Sequence, residues 1–321
     1  MIRIGLIGAG GIGTVHLSNY AYIKDCKVVA LADKSAVSKE KAKHFGVRFY
    51  SSVDEMLDRE ELDVVDVCSP TFLHKEHVMK ALAKRKHTIC EKPIALKRKD
   101  AEEMYALAEK KGVHIYVGQV VRFAKESQVL RNLVSTGEYG KILDASFERL
   151  SACPRWAAGG WLFDKSKSGH LPFDLHIHDL DLIVSLLGKP DSYRFTSCGN
   201  KDKEYKEQYR FFYKFGDVNV VAEAAWFNAD IPFIARWRVY FENAVVINNG
   251  NSVIGYRFDK EPRIFNTEEK VKILTGINLP PTGIFLEELS HFIECVKENK
   301  ASEIITREQI LTVVDILETI D

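Results

Sequence analysis

Short apolar runs alternate with amphipathic stretches over the first third of the chain. The runs are apolar at consecutive positions, which is typical of parallel strands covered on both faces. Between them, a 3.6-residue periodicity predicts helices such as His74–Lys86 and Asp100–Lys111, the second ended by Gly112. This alternation predicts a doubly wound parallel sheet of the α/β class. The predicted strands are Ile2–Ile7, Val28–Ala32, Val64–Cys68, Thr88–Cys90 and Ile115–Val117.

The pattern changes after about Gly140, where longer runs rich in β-branched and aromatic residues begin. Gly216–Asp217 separates two of these runs and predicts a hairpin turn. Helical patterns cover His178–Leu187 and Phe285–Lys297, and a last helix begins after Thr306, a predicted N-cap. We therefore predict a second, α+β domain with a large, mostly antiparallel open sheet. Its predicted strands are Ile142–Leu150, Gln208–Phe215, Val218–Phe227 and Ile234–Phe241.

Length and charge narrow the class of protein. A chain of 321 residues is too long for one compact core, so we predict two domains, 1–120 and 121–321. The chain has 45 basic and 45 acidic residues and no basic block, which argues against a nucleic-acid or membrane-surface partner. No window holds the roughly 18 apolar residues of a membrane span. Six scattered cysteines without a CxxC pair favour a reducing, cytoplasmic location and no metal.

A glycine-rich turn follows the first predicted strand and opens a helix. In the sequence GAGGIG, Gly8 makes a tight turn, Gly10 lets the backbone approach a pyrophosphate, and Gly13 lets helix and strand pack closely. The helix start offers unpaired N–H groups and a positive dipole end to the phosphates. The turn therefore predicts a Rossmann dinucleotide site. Its predicted cofactor-binding residues are Gly8, Gly10, Gly11, Ile12 and Gly13.

The end of the second predicted strand bears on the choice of cofactor. Asp33 lies twenty positions after Gly13, where a carboxylate accepts hydrogen bonds from the adenosine ribose and repels a 2′-phosphate. This favours NAD. Lys34 follows directly and could accommodate the 2′-phosphate, so NADP remains an alternative cofactor.

Two further motifs complete a resemblance to a known family. Glu91-Lys92-Pro93 ends a predicted strand, and Asp174-Leu-His-Ile-His178 opens a predicted helix. Together with the glycine turn and the segment SPTFLH at 69–74, they resemble the glucose–fructose oxidoreductase, inositol dehydrogenase and rhizopine catabolism (Gfo/Idh/MocA) family. The resemblance keeps the order of the motifs over essentially the whole chain.

The resemblance implies roles for single residues. Lys92 matches a lysine that contacts the nicotinamide ribose and the reacting hydroxyl, and Pro93 matches a proline that often follows a cis peptide. Asp174 and His178 match the residues that complete the catalytic group, and Arg122 matches a position that often faces substrate. Further residues that the resemblance places beside the cofactor are Ser69, Pro70, Thr71, His74 and Glu91.

The chemistry of these side chains suits alcohol oxidation. Removing hydride from a secondary alcohol needs a base for the hydroxyl proton, and an imidazole has a suitable pKa. We assign His178 as proton acceptor, Lys92 as the partner of the alcohol oxygen and Asp174 as the orienting group, with the lysine and histidine roles open to exchange. His176 is predicted to be structural, and Asp179, in a first helical turn, needs no metal to explain it.

The substrate is predicted to be a polyhydroxylated small molecule. Trp156 and Trp161 lie in a predicted loop where aromatic faces could stack on a sugar ring, or could instead anchor the loop to the core. In many relatives small residues precede the motif aspartate, which is Asp174 in this chain. Here bulky residues such as Phe173 lie between Gly169 and Asp174, so the resemblance says less about the size of the substrate than about the chemistry.

Three functions remain open at this point. The first is an NAD(P)-dependent dehydrogenase of a sugar, inositol or related polyol. The second is a glycosidase that uses transient oxidation by a tightly held NAD. The third is a binding protein that senses a dinucleotide or a sugar without catalysis. By resemblance, we expect a homodimer or homotetramer that pairs through the second sheet.

Overall fold

A computed structural model describes residues 1–155 and 158–320. The chain forms two compact units. The first contains Met1–Val120 together with Glu269–Glu318, and the second contains Val121–Glu268 and the end of the chain.

The first unit contains a six-stranded, fully parallel sheet, which confirms the predicted doubly wound class. Its strand order is β3-β2-β1-β4-β5-β6, so the order reverses between the neighbouring strands β1 and β4. Ligands of such sheets bind at this reversal, beyond the carboxyl ends of the strands. The strands are β1 Ile2–Ile7, β2 Cys26–Ala32, β3 Arg48–Tyr50, β4 Val64–Val67, β5 His87–Glu91 and β6 Ile115–Gly118.

The helices of this unit begin and end where local chemistry requires it. Helices α2 and α5 end at Gly46 and Gly112, whose backbones adopt the left-handed conformation. The helix end at Gly112 was predicted. Thr306 and Gln309 form a reciprocal capping box at the start of the last helix. The helices are α1 Gly11–Tyr20, α2 Ala36–Phe45, α3 Val53–Arg59, α4 His74–Ala83, α5 Arg98–Lys111, α9 Ile284–Lys297 and α10 Arg307–Glu318.

The two last helices pack in the first unit, although the predicted boundary assigned 121–321 as a whole to the second domain. Phe292 of α9 is fully buried and stacks on Tyr116 of β6, with ring centroids 5.5 Å apart. Arg307 of α10 lies over the Tyr105 ring of α5. The apolar stripe of α9 shows that the helix is buried, but periodicity does not say which sheet it covers. The structure therefore extends the first unit by Glu269–Glu318.

The second unit contains an eight-stranded sheet, and its mostly antiparallel pairing was predicted. The strand order is β14-β13-β12-β11-β7-β10-β9-β8, and within the described residues of this sheet only β7 and β10 pair in parallel. The hairpin turn at Gly216 joins β9 and β10. The strands are β7 Ile142–Ala152, β8 Ser192–Cys198, β9 Gln208–Phe215, β10 Val218–Phe227, β11 Ile234–Phe241, β12 Ala244–Asn248, β13 Val253–Tyr256 and β14 Arg263–Phe265.

Three α-helices lie among the described residues of the second unit. They are α6 Lys125–Thr136, α7 Lys165–Ser168 and α8 Ile177–Leu187. A π-helical turn, Pro172–His176, leads directly into α8, and such turns are frequent at functional sites. In the described ranges, no helix is both long and apolar enough to cross a membrane.

We expect Phe292→Ala to lower the free energy of unfolding of the first unit by about 3–5 kcal/mol, because it removes a buried ring that stacks on Tyr116. Circular dichroism during urea unfolding reports the loss of secondary structure in both units. All four tryptophans lie in the range of the second unit, so their fluorescence separates its unfolding. Leu274→Ala, at a side chain that is 77% exposed, is the matched control. Equal midpoints for the two variants would contradict the packing of α9.

Candidate functional site

The glycine turn joins β1 to α1 by a close backbone approach. Gly8 has φ +88°, and a Cβ there would lie 2.8 Å from the Cys68 carbonyl oxygen. A Cβ at Gly13 would overlap the Gly8 carbonyl oxygen. These two glycines are therefore required by the fold of the turn itself.

Gly10 differs from both. Its φ is −63°, and a Cβ there would meet no atom within 4 Å among the described residues. It precedes α1, whose first turn has neither a side-chain cap nor an acidic residue in the described structure. Unpaired N–H groups at an uncapped helix start bind phosphate oxygens. The open space and the uncapped helix fit the pyrophosphate of a dinucleotide.

Asp33 is held at the end of β2 by two backbone donors. Its Oδ2 accepts from the Ala9 N–H at 2.8 Å, and its Oδ1 accepts from the Ser35 N–H at 2.8 Å. The carboxylate is half-exposed beside the turn, and Lys34 is exposed. Lys41, which the sequence did not single out, donates to the Ala9 carbonyl at 2.7 Å. It thus places a cation beside the glycine turn.

Lys92 follows β5 and is joined to Pro93 by a cis peptide bond, as the resemblance implied. Its side chain is half-exposed, whereas those of Glu91 and Pro93 are buried. The Lys92 N–H donates to Glu91 Oε2 at 3.0 Å. Glu91, predicted beside the cofactor, is therefore engaged by the backbone of its own motif.

His74 has a role different from the predicted contact with the cofactor. It is 1% exposed, and its Nδ1 and Nε2 lie 2.7 Å from the Pro93 carbonyl and 2.8 Å from the Ser69 carbonyl. Both ring nitrogens are thus used inside the first unit, which corrects the expectation of a direct contact. Ser69 and Thr71 are also buried, and Pro70 is half-exposed.

Asp174 and His178 lie in one helical run of the second unit. Asp174 belongs to the π-helical turn and His178 to the first turn of α8. Both side chains are half-exposed, and the three residues between them are buried. The four-residue spacing therefore presents a carboxylate and an imidazole on the accessible side of this run.

Arg122 is buried instead of facing substrate. It is 1% exposed, and its guanidinium donates to both carboxylate oxygens of Asp181 at 2.6 Å. Arg149 pairs with Asp179 in the same way, at 2.7 and 3.1 Å. Burial raises the pKa of Asp179, against the lowering effect of Arg149. The structure corrects the prediction for Arg122, because a buried bidentate pair occupies its donors.

His176 is structural, as predicted. It is fully buried, stacks on Phe211 with ring centroids 3.7 Å apart, and places Nε2 2.7 Å from the Tyr213 hydroxyl. Burial, with a smaller effect of Arg149, lowers the pKa of His176 to about 3. Of the predicted substrate aromatics, Trp161 is half-buried, and Trp156 lies outside the described residues.

A buried polar cluster in the first unit escaped the sequence analysis. His16 of α1 contacts Asp66 of β4 and faces Glu91, and Glu288 of α9 is within reach of both His16 and Glu91. Its members are far apart in sequence. The signal available was a histidine and an aspartate inside otherwise apolar runs.

Two family models match the chain. Residues 2–119 match the oxidoreductase family with an NAD-binding Rossmann fold, GFO_IDH_MocA, and residues 127–246 match the GFO/IDH/MocA C-terminal domain. The two matches meet near the boundary between the units at Val120.

The chain is similar to curated sugar enzymes. It is 36% identical over 189 residues to glucose-6-phosphate 3-dehydrogenase of Bacillus subtilis (strain 168), covering 57% of this chain and 53% of that protein. It is 32% identical over 190 residues to 2,7-anhydro-N-acetylneuraminate hydratase of Escherichia coli (strain K12), covering 59% and 50%. The matches thus span about half the length of these relatives.

A solved structure shares the fold. Levoglucosan dehydrogenase in complex with NADH and levoglucosan superposes with a TM-score of 0.84 at 19% identity, covering 98% of this chain and 95% of that one. At this identity the likeness shows the fold alone.

Substitution of the turn glycines should separate folding from binding. We expect Gly10→Ala to fold normally and to weaken NAD binding at least about tenfold, or ~1.4 kcal/mol, because the methyl group enters open space that the pyrophosphate needs. Gly13→Ala, the matched variant, should lower thermal stability, because its methyl group overlaps the Gly8 carbonyl. Calorimetry with NAD and thermal unfolding measure the two effects. Unchanged NAD affinity in Gly10→Ala would contradict the assigned phosphate position.

The burial of His176 predicts a pH dependence of stability. Its pKa in the folded chain, about 3, lies below the ordinary value near 6.5, so the unfolded state binds more protons between these values. Stability is therefore lost as the pH falls through this window. Between pH 7.5 and 5, His176→Gln should lose about 2 kcal/mol less unfolding free energy than the unmutated protein.

Urea unfolding followed by tryptophan fluorescence measures this loss in the second unit. The remaining titrating groups are common to both proteins, so the difference isolates His176. Identical losses in the two proteins would contradict a buried, neutral ring.

Proposed function

Because the chain belongs to the GFO/IDH/MocA oxidoreductase family, we propose that it is an NAD-dependent dehydrogenase acting on a CH–OH group of a sugar, inositol or related polyol. The observation that carries the proposal is the open, uncapped start of α1 at Gly10, beside the Asp33 carboxylate. NAD supplies the hydride acceptor when it is bound. The half-exposed Asp33 carboxylate favours NAD over NADP, because it would repel a 2′-phosphate.

Three side chains carry the proposed proton chemistry. His178 accepts the hydroxyl proton, Lys92 stabilises the alcohol oxygen by charge and hydrogen bonding, and Asp174 orients the substrate hydroxyl. The roles of His178 and Lys92 could be exchanged. Support comes from the partial exposure of all three side chains next to buried neighbours, and from their match to the family motifs.

The proposed substrate class rests on the relatives. A dehydrogenase of glucose 6-phosphate is among them, and a levoglucosan dehydrogenase shares the fold. Trp161 remains a candidate for contact with a sugar ring, because it is only half-buried. We also propose a homodimer or homotetramer formed through the second sheet, where Tyr240, Tyr256 and Ile264 are exposed.

One relative favours a second candidate function. The Escherichia coli protein is named a hydratase of an anhydro sugar and matches 59% of this chain. A reaction that begins with hydride removal and ends with hydride return would use the same side chains. It would consume substrate without a net change in NADH absorbance.

We expect net reduction of NAD with at least one member of a panel of aldoses, inositols and anhydro sugars, followed at the NADH absorbance band and by product analysis. Lys92→Ala should lower kcat/KM about 10²- to 10⁴-fold, because a group that stabilises the transition state is lost. Lys99→Ala, at an exposed lysine of α5, is the matched control.

The same panel separates the alternatives. Substrate loss without NADH would support the second candidate, whereas binding of both ligands without turnover would indicate a sensor. If calorimetry detected no dinucleotide binding, the proposal would fail.

A further inference from the structure

A histidine and two glutamates meet in the interior of the first unit. His16 belongs to α1, Glu91 ends β5, and Glu288 belongs to α9. Their exposed fractions are 0%, 6% and 0%. One ligand atom of each residue lies within 4.8 Å of those of the other two. We refer to these three residues as the His-Glu-Glu cluster.

The ring of His16 turns its Nε2 atom towards the cluster. Nδ1 lies 2.8 Å from Asp66 Oδ2, and because an ionised carboxylate only accepts hydrogen bonds, the proton of a neutral ring sits on Nδ1. Nε2 then carries a lone pair and lies 3.2 Å from Glu91 Oε1. This pair does not have the geometry of a hydrogen bond, and both atoms are buried without a hydrogen-bond partner in the described structure. Two acceptor atoms therefore face each other.

The carboxylate of Glu91 is held in this orientation by the backbone around it. Its other oxygen, Oε2, accepts the Lys92 N–H at 3.0 Å. On the neighbouring strand, a Cβ at Gly118 would lie only 2.9 Å from Oε1, so a glycine there leaves room for the carboxylate. Oε1 is thus fixed against His16, where it meets no donor among the described residues.

The cluster brings more negative charge into the interior than its histidine can balance. Asp66, Glu91 and Glu288 are all buried around a single imidazole, which carries at most one positive charge. Buried charges are costly unless they are paired or bind a metal ion. A divalent cation between Nε2 and the two glutamates would offset this charge and would give both unpartnered atoms a ligand bond.

The donor atoms and their spacing fit a transition-metal ion such as Zn²⁺. Zn²⁺ binds imidazole nitrogen and carboxylate oxygen at about 2.0–2.2 Å, which places neighbouring ligand atoms roughly 3.0–3.5 Å apart. The 3.2 Å between His16 Nε2 and Glu91 Oε1 lies within this range. A metal-bound histidine usually donates its other N–H to a carboxylate, as Nδ1 does here to Asp66. A second carboxylate oxygen or a water molecule would complete a set of four ligands.

A second group of candidate ligands lies on the opposite side of the same ring and consists of His16, Asp66 and Cys68. Hydrogen bonds account for its atoms. Asp66 Oδ2 accepts from the Tyr20 hydroxyl and from His16 Nδ1, each at 2.8 Å, and the Cys68 thiol donates to Oδ1 at 3.5 Å. None of these atoms is left without a hydrogen-bond partner. The Nε2 side of the ring is therefore the side that calls for an ion.

We propose that His16, Glu91 and Glu288 bind one divalent transition-metal ion of the Zn²⁺ type. The ion is structural, because its ligands are buried and lie on α1, β5 and α9, which it ties together. The site goes beyond the proposed function and does not depend on it. The expectation of no metal rested on the spacing of the cysteines, none of which is a ligand here.

Metal content and thermal unfolding test the proposal. The full chain is produced in medium with added Zn²⁺ and in medium depleted of transition metals, and both samples are purified in EDTA to remove ions from the surface. We expect one equivalent of zinc per chain in the first sample, and an unfolding midpoint at least about 5 °C higher than in the second. Mg²⁺ should not replace zinc, because it prefers oxygen ligands. A zinc-free first sample with the same midpoint would overturn the proposal.

Cobalt distinguishes the two groups of candidate ligands around His16. Protein produced with Co²⁺ instead of Zn²⁺ should absorb visible light through the d–d bands of the ion. The near-ultraviolet charge-transfer band of a cobalt-bound thiolate should be missing, because all three proposed ligands bind through nitrogen or oxygen. A thiolate band would place the ion beside Cys68 and contradict the assignment to Nε2 and the two glutamates.

Substitution of one ligand tests the site directly. Glu288→Gln keeps the shape of the side chain but removes its charge, and should weaken zinc binding at least about 100-fold in competition with a chromophoric chelator. Asp66→Asn, which changes the acceptor of Nδ1, should weaken it about 10- to 100-fold and is the second variant if Glu288→Gln does not fold. Glu294→Gln, at an exposed glutamate of α9, is the matched control. Zinc bound by Glu288→Gln or Asp66→Asn as tightly as by the control would show that the ion binds elsewhere.

Discussion

The close backbone approach between Gly8 and Gly13 is the constraint on which the first unit depends. With a side chain at either position, α1 could not start directly at the end of β1. Because it does, its uncapped N–H groups open at the reversal of strand order, next to β4. The same approach brings the Ala9 N–H to the Asp33 carboxylate. A steric requirement of the backbone thus produces both the open helix start that we propose as the phosphate site and the position of the carboxylate beside it.

Both units bury ionic groups, and several of these groups form close pairs. Arg122 and Arg149 of the second unit each meet one carboxylate with two donors, which offsets the cost of removing the charges from water. Asp66 of the first unit accepts from Tyr20 and lies against His16. Such pairs add little net stability compared with apolar residues of the same shape. What they provide is orientation, because each pair admits few geometries.

The elements that could be predicted from the sequence are those marked by neighbouring residues in the chain. The parallel strands, the antiparallel hairpin at Gly216, the helix end at Gly112 and the cap at Thr306 follow from periodicity and turn chemistry. The packing of α9 and α10 in the first unit could not be predicted in this way, because an apolar stripe shows that a helix is buried but not which element it packs against. The pair of Arg122 and Asp181 was missed for a similar reason: a bidentate contact across 59 positions leaves no pattern in the sequence.

The motif around Lys92 shows how far a short sequence pattern can be read. A motif marks all its positions equally, whereas the structure distinguishes them by exposure and by partner. Glu91 of this motif and His74 of the segment 69–74 are buried and hold backbone groups, and Lys92 is half-exposed. A residue that must contact a substrate has to reach solvent, and a residue that must fix a backbone need not. Burial therefore separates the position that can do chemistry from those that support it, although the motif gave them the same weight.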